Sequence, residues 1–302
     1  MTDYDSVRTC CSSASICRLC WSFISAAVRV LHEALTEQFG FKHLLWVYSG
    51  RRGIHLWIAD KEAMELDDES RKAIVGWLEV IKGGKEMKKK VNVRLGAGKN
   101  GPGSLPPSLQ TALTPLATLF SSLILTDQNC FGSEKGYEAL LQLIPDGGVA
   151  ANLRKKWEDD PDRHSVDKWG DLKSEVKRFE KGSSTRVRPS EVIHSNLSLR
   201  HLRSQVVLQA ALEDIILQYT YPRIDAEVSK HRNHLLKAPF CVHPKTGRVC
   251  VPVDPEKVDE FDPEGVPNVG GLLRELDEAG KMEVDEEGGE HHNGKLRVSA
   301  DL

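Results

Sequence analysis

Two apolar segments, LLWVY at Leu44–Tyr48 and IHLWIA at Ile54–Ala59, flank the turn Ser49-Gly50-Arg51-Arg52-Gly53, and this stretch constrains the chain more than any other. β-branched and aromatic residues on either side of a glycine-bracketed turn specify a β-hairpin. Alternation sorts the second arm: Ile54, Leu56 and Ile58 share one face, and His55 and Trp57 the other. His55 is thereby set beside Arg51 and Arg52 and away from the core. Two guanidiniums, an imidazole, the Ser49 hydroxyl and glycine-exposed backbone N–H groups suit an anion with many oxygens, a triphosphate above all. The plainer alternative is a solvated basic turn.

The 302 residues suffice for one large or two ordinary domains, and 40% hydrophobic content can bury a sizeable core. No run of consecutive apolar residues reaches bilayer-spanning length, and the start MTDYD is not a signal peptide, so no membrane partner is expected. The formal charge of −3 is unevenly spread: Glu275–Leu302 holds nine acidic and three basic residues, which leaves +3 on the rest. Lys85, Lys88, Lys89, Lys90, Arg94 and Lys99 form a basic cluster suited either to a phosphate backbone or to a solvated loop.

Four of the seven cysteines, Cys10, Cys11, Cys17 and Cys20, fall in the pattern C-C-x5-C-x2-C. Without an export signal this is a poor disulfide framework and a good Zn²⁺ site. Four thiolates complete a tetrahedron at about 2.3 Å per sulfur and leave no position for water, so such a zinc is structural and a zinc hydrolase is excluded. The alternative is a group of ordinary buried thiols.

Periodicity places helices over Trp21–Phe39, Glu69–Lys82 (apolar face Ala73, Ile74, Trp77, Leu78, Ile81) and Arg203–Tyr219 (Leu208, Ala211, Leu212, Ile215, Tyr219). Gly96–Pro107 is expected to be a flexible stretch that no element crosses, and its Gly98-Lys99 lacks the spacing of a P-loop. Helical patterns alternate with polar connectors over 108–200, with Cys130 as an isolated thiol. A short helix is expected at Gly271–Glu278 and a disordered end from Glu283, where His291-His292 is a weak metal candidate at most.

The string FGFKHLLWVYSGRRGIHLWIAD resembles the signature hairpin of the eukaryotic DNA primase small, catalytic subunit, within the archaeo-eukaryotic primase family. The blocks MTDYDSVRTCCSSASICRLCW, YPRIDAEVSKHRNHLLKAPFCVHPKTGRVCVPVD and VDEFDPEGVP agree in order and spacing, so the likeness covers most of residues 1–83 and 205–270. It implies a mixed α/β (α+β) primase-type fold, incomplete at the N-terminus. The catalytic core would occupy 1–105 and 205–270, with a helical insertion at 106–204 and an acidic tail at 271–302. It also implies DNA-templated synthesis of RNA primers in the nucleus, by two-metal nucleotidyl transfer with Mg²⁺ or Mn²⁺. Implied partners are the primase large subunit, the DNA polymerase α complex, a single-stranded DNA template and ribonucleoside triphosphates. By the same resemblance Ser49, Arg51, Arg52, His55, Lys237 and His243 hold the triphosphate, Cys10, Cys11, Cys17 and Cys20 hold zinc, and Asp225 is a catalytic metal ligand.

The family uses three aspartates, and here the pattern departs. Asp225 matches the third, whereas Asp3-Tyr4-Asp5 matches a motif that follows the catalytic Asp-x-Asp pair. The expectation is therefore a chain that lacks two metal ligands and does not synthesise primers by itself. The alternative is a non-catalytic, zinc-stabilised chain that binds the large subunit or polymerase α.

Overall fold

The computed structural model describes residues 4–81, 91–98, 101–183 and 195–286. Helix α1 (Arg18–Glu33) runs into a π-helical turn (Ala34–Gln38) that ends at Gly40, and the chain enters β1 (Leu44–Tyr48) and β2 (Ile54–Ile58). The hairpin pairs as expected, with Tyr48 opposite Ile54 and Leu44 opposite Ile58. Strand β3 (Pro252–Val253) joins the other edge of β1, giving an antiparallel sheet of order β2-β1-β3. The fold is thus mixed α/β with helices in the majority, as the sequence implies.

Helix α2 (Lys61–Glu65) precedes α3 (Asp68–Leu78), which Asp67 caps by accepting from the Ser70 N–H at 2.8 Å. The buried stripe of α3 differs from the expected one: Val75 and Leu78 are inside, while Ala73 and Trp77 face outward. The Trp77 indole instead donates to Gln38 Oε1 at 3.0 Å, and Ile81 pairs with Val91 beyond the helix end. An aromatic residue with a polar handle can sit outside when that handle has a partner, which periodicity alone does not register.

Gly96–Pro107 is also more ordered than expected. Leu95 and Ser104 exchange backbone hydrogen bonds of 2.8 and 3.0 Å, and Gly98 and Gly101 exchange a second pair. Arg94, counted above with the basic cluster, is withdrawn from solvent: it donates to Asp214 and Glu213, each at 2.8 Å, and to the Ala210 carbonyl. It staples this ladder to the long helix α8 (Ser195–Thr220) and is not available to a phosphate backbone. Lys85, Lys88, Lys89, Lys90 and Lys99 lie outside the described residues.

The helical region comprises α4 (Pro107–Leu119), a π-helical continuation (Phe120–Asp127), α5 (Glu134–Leu141), α6 (Gly147–Glu158), α7 (Ser165–Ser183) and α8 (Ser195–Thr220). Residues 107–127 are long and apolar enough to cross a membrane by length and composition, which the sequence reading did not anticipate. Their Leu109, Leu116, Phe120, Leu123, Ile124 and Leu125 are buried within the molecule, while most of the segment is partly or fully exposed. In α8 all five expected face residues are buried. One apolar cluster runs from Trp21 and Tyr48 through Phe120, Phe131 and Trp157 to Tyr219 and Val258, so the hairpin and the helical region share a core. Helix α9 (Ala226–Lys230) follows Asp225, and α10 (Val269–Glu286) is longer than expected, reaching into the stretch read as disordered. His291-His292 lies outside the described residues.

Candidate nucleotide and metal site

The turn between β1 and β2 is held from inside and from across the sheet. Ser49 Oγ accepts from the Gly53 N–H at 3.1 Å, and the Tyr48 hydroxyl donates to the Arg51 carbonyl at 2.7 Å. Gly50 has φ +77°, and a Cβ placed there would lie 2.7 Å from the His243 Cβ and 3.0 Å from the Arg248 carbonyl oxygen. Only glycine allows this approach without strain. Thr246 Oγ1 donates to the Gly50 carbonyl at 2.6 Å, so the loop 243–248 closes over the hairpin turn.

That closure sets His243 against the turn that carries Arg51. Arg51 and Lys237 both act on His243, which is buried and whose pKa is lowered by burial first and by these two cations next. His243 Nδ1 accepts from the Lys245 N–H at 3.2 Å, which leaves Nε2 as the donor of the neutral ring. His55 is pushed down to about 4, by burial first and by Lys237, while Asp225 opposes the shift. Lys237 and Asp225 thus both act electrostatically on His55. Lys237 is fixed through its backbone, whose carbonyl accepts from the Trp57 indole at 3.1 Å. Asp225 is exposed, precedes α9, and makes no capping bond to it, so its carboxylate remains accessible to a cation.

Arg52 is held on the Asp5 side of the turn. Its Nη1 donates to both carboxylate oxygens of Asp5 at 3.0 Å and to the Ser13 carbonyl at 2.7 Å. Asp5, from the Asp-x-Asp form near the start, is thus an ion-pair partner of Arg52 and Arg8. Asp3 lies outside the described residues.

In the cysteine cluster the sulfurs of Cys10, Cys11, Cys17 and Cys20 all lie within 4.8 Å of one another. Cys17 Sγ is 3.6 Å from that of Cys10 and 3.8 Å from that of Cys20. The edge of a ZnS₄ tetrahedron is about 3.8 Å, so the residues fit a metal ion. Burial and the neighbouring thiols push Cys10 up to about 11, with Gln128 opposing. Cys17 moves down despite burial, through hydrogen bonds from the Cys20 backbone and the adjoining thiols. A cation among the sulfurs would favour their thiolate forms. Gln128, at the end of the π-helical segment, clamps the loop: its Oε1 accepts from the Thr9 N–H at 2.6 Å and its Nε2 donates to Cys10 Sγ at 3.2 Å.

The sequence pattern of the DNA primase small subunit family matches residues 1–255. The chain belongs to that family. It is 48% identical over 277 residues to a DNA primase small subunit of Schizosaccharomyces pombe, covering 92% of this chain and 56% of the relative. Identity is 39% over 284 residues with that of Drosophila melanogaster, covering 91% and 58%, and 36% over 278 residues with that of Saccharomyces cerevisiae, covering 92% and 61%. The chain therefore spans less than two thirds of the length of these relatives.

Sequence reasoning did not find Thr246, Trp57 or Gln128 among the residues that hold these loops. Only the setting of Thr246, in CVHPKTGR, held a signal; the others act across separations that no local pattern encodes.

Proposed function

We propose that this chain provides the triphosphate-binding half of a primase active site, for DNA-templated synthesis of RNA primers from ribonucleoside triphosphates in the nucleus. The observation that carries the reading is the convergence of Arg51, His55, Lys237 and His243 on one region beside Asp225. Arg51 offers a planar fork, and its buried Nε has no hydrogen-bond partner among the described residues. Lys237 offers a point charge, the histidines offer N–H donors, and Ser49 shapes the turn. Arg52 adds charge from the Asp5 side.

Asp225 would hold Mg²⁺ or Mn²⁺, which when bound neutralises phosphate charge and stabilises the attacking and leaving oxygens. Cys10, Cys11, Cys17 and Cys20 would hold Zn²⁺ as a structural ion. The core is assigned to 1–105 and 205–270, the helical insertion to 106–204 and the acidic tail to 271–302, with the primase large subunit and the polymerase α complex as partners and single-stranded DNA as template.

Chemistry needs more carboxylates than Asp225 supplies. Asp5 is engaged with Arg8 and Arg52, which favours a second reading of the 302-residue polypeptide as a nucleotide- and partner-binding chain without synthesis of its own. Calorimetric titration with ATP tests the site: wild-type protein binds, and Arg51→Ala loses roughly 10- to 100-fold in affinity, the worth of a charge-assisted hydrogen bond. Equal affinity in that variant removes the assignment. Extension of primers on a poly-dT template with Mn²⁺, abolished by Asp225→Ala, would overturn the second reading.

A further inference from the structure

Arg8 is not among the residues proposed to hold the triphosphate or a metal, and it is almost wholly buried, with a side chain 4% exposed. Its guanidinium reaches three parts of the molecule. Nη1 donates to the Ser15 carbonyl at 2.8 Å and lies 4.0 Å from Cys20 Sγ. Nη2 donates to the Ser13 carbonyl at 2.7 Å and pairs with Asp5 Oδ1 at 2.5 Å. Ser13 and Asp5 are the same two acceptors that hold Arg52 Nη1. One carboxylate and one carbonyl are thus shared between a buried arginine against the cysteine loop and a partly exposed arginine on the hairpin turn.

We infer that Arg8 is a positioning residue that couples metal occupancy of the cysteine cluster to the placement of Arg52 in the triphosphate site. A metal drawing Cys10, Cys11, Cys17 and Cys20 together fixes the loop between them, and Ser13 and Ser15 lie on that loop. Their carbonyls orient Arg8, Arg8 orients Asp5, and Asp5 with Ser13 orients Arg52. Each link is a charge-assisted hydrogen bond, and those of Arg8 to the Ser13 and Ser15 carbonyls are partly buried, where such bonds are strongest and most directional. Without the metal the loop loses its cross-link, Ser13 drifts, and Arg52 keeps only an exposed carboxylate to hold it. The converse follows from linkage: a triphosphate that favours the ordered turn raises the affinity of the cysteines for metal by the same factor.

The coupling rests on the reading of the hairpin turn as a triphosphate loop, and the experiment separates the two. Co²⁺ is titrated into the full chain while its sulfur-to-metal charge-transfer band is followed, with and without ATP. ATP affinity and amide exchange of residues 49–53 are measured on metal-loaded and metal-free protein. Wild-type protein should bind ATP about 5- to 20-fold more tightly when loaded, within the usual range of coupling between sites, and the turn amides should exchange more slowly. Arg8→Ala should keep the Co²⁺ band but lose both responses, and Arg8→Lys, which can still pair with Asp5, should recover part of them. Asp5→Asn, which leaves the cysteine loop untouched, should behave as Arg8→Ala does. If Arg8→Ala keeps the metal response of the turn, or if it abolishes the Co²⁺ band while Asp5→Asn leaves the response intact, the coupling is wrong. If wild-type protein shows the exchange response but binds no ATP, the coupling stands and the triphosphate assignment falls.

Discussion

The Cβ of His243 lies 2.7 Å from the point where a side chain on Gly50 would begin, so one glycine sets how closely two distant segments meet. The buried imidazole and the arginine-bearing turn share a site because nothing stands between them.

Gly50→Ala should therefore damage both fold and site. The new Cβ meets the His243 side chain and the Arg248 carbonyl oxygen, and alanine disfavours φ +77°. A loss of about 1–3 kcal/mol is expected in denaturant unfolding, from backbone strain and overpacking. ATP affinity should fall at least as much as it does for Arg51→Ala, because loop 243–248 is displaced.

Stability should decline as pH falls from about 6.5 to about 4, through His55. Its pKa in the folded protein is pushed down to about 4 from the ordinary histidine value of 6.5, so in this window the unfolded chain takes up a proton that the native chain resists. Above about 6.5 the term is fully present and flat. Chemical denaturation of wild type and His55→Gln between pH 4 and 7.5 checks this, with a shallower slope expected in the variant.

A bound triphosphate should reverse the proton balance at the same residue. Anionic oxygens beside His55 stabilise its charged form and raise its pKa toward and beyond the ordinary value. ATP should then bind more tightly at pH 6 than at pH 8 after correction for the nucleotide's own ionisation. Binding heats at pH 6 should depend on buffer ionisation enthalpy in wild type and much less in His55→Gln.

Removing metal from the cysteine cluster should lower the melting temperature by a margin that re-addition of Zn²⁺ restores, because a metal that binds only the folded loop stabilises by mass action. Cys17→Ser should abolish the Zn²⁺-dependent part. Cys130→Ser should leave it intact, since the Cys130 thiol bonds to the Val7 carbonyl and takes no part in the cluster.

Lys168 supports the helical region. Its ammonium is fully buried, donates to the Phe131 and Gly132 carbonyls at 3.0 Å each and sits 4.6 Å from the Tyr137 ring centre. Lys168→Ala should cost about 2–4 kcal/mol in chemical denaturation, from two unpaired carbonyls and the space left behind. ATP affinity should be unchanged, because Lys168 lies in the helical region rather than in the site.

The hairpin, the α1 helix and the buried face of α8 were legible because each has a period or a turn that a short window contains. Trp77 misled because its partner, Gln38, sits in another element, and Arg94 because its acceptors are over a hundred positions away. The Gly96–Pro107 stretch suggested flexibility because glycine and proline carry no side-chain signal for the backbone pairing that orders it. Within the site, the arginines, histidines and cysteines stood out by residue type and spacing. Their supports Thr246, Trp57 and Gln128 did not, since a hydrogen bond between distant segments has no signature in either one.

The bond from Thr246 to Gly50 joins residues 196 positions apart, with the helices from α4 to α8 between them. The proposed anion cradle therefore closes only across a long loop, and not within the hairpin itself. On the ribosome the arginine turn would be made long before the segment that completes it. A chain interrupted before residue 246 would keep its hairpin but lose the grip on phosphate.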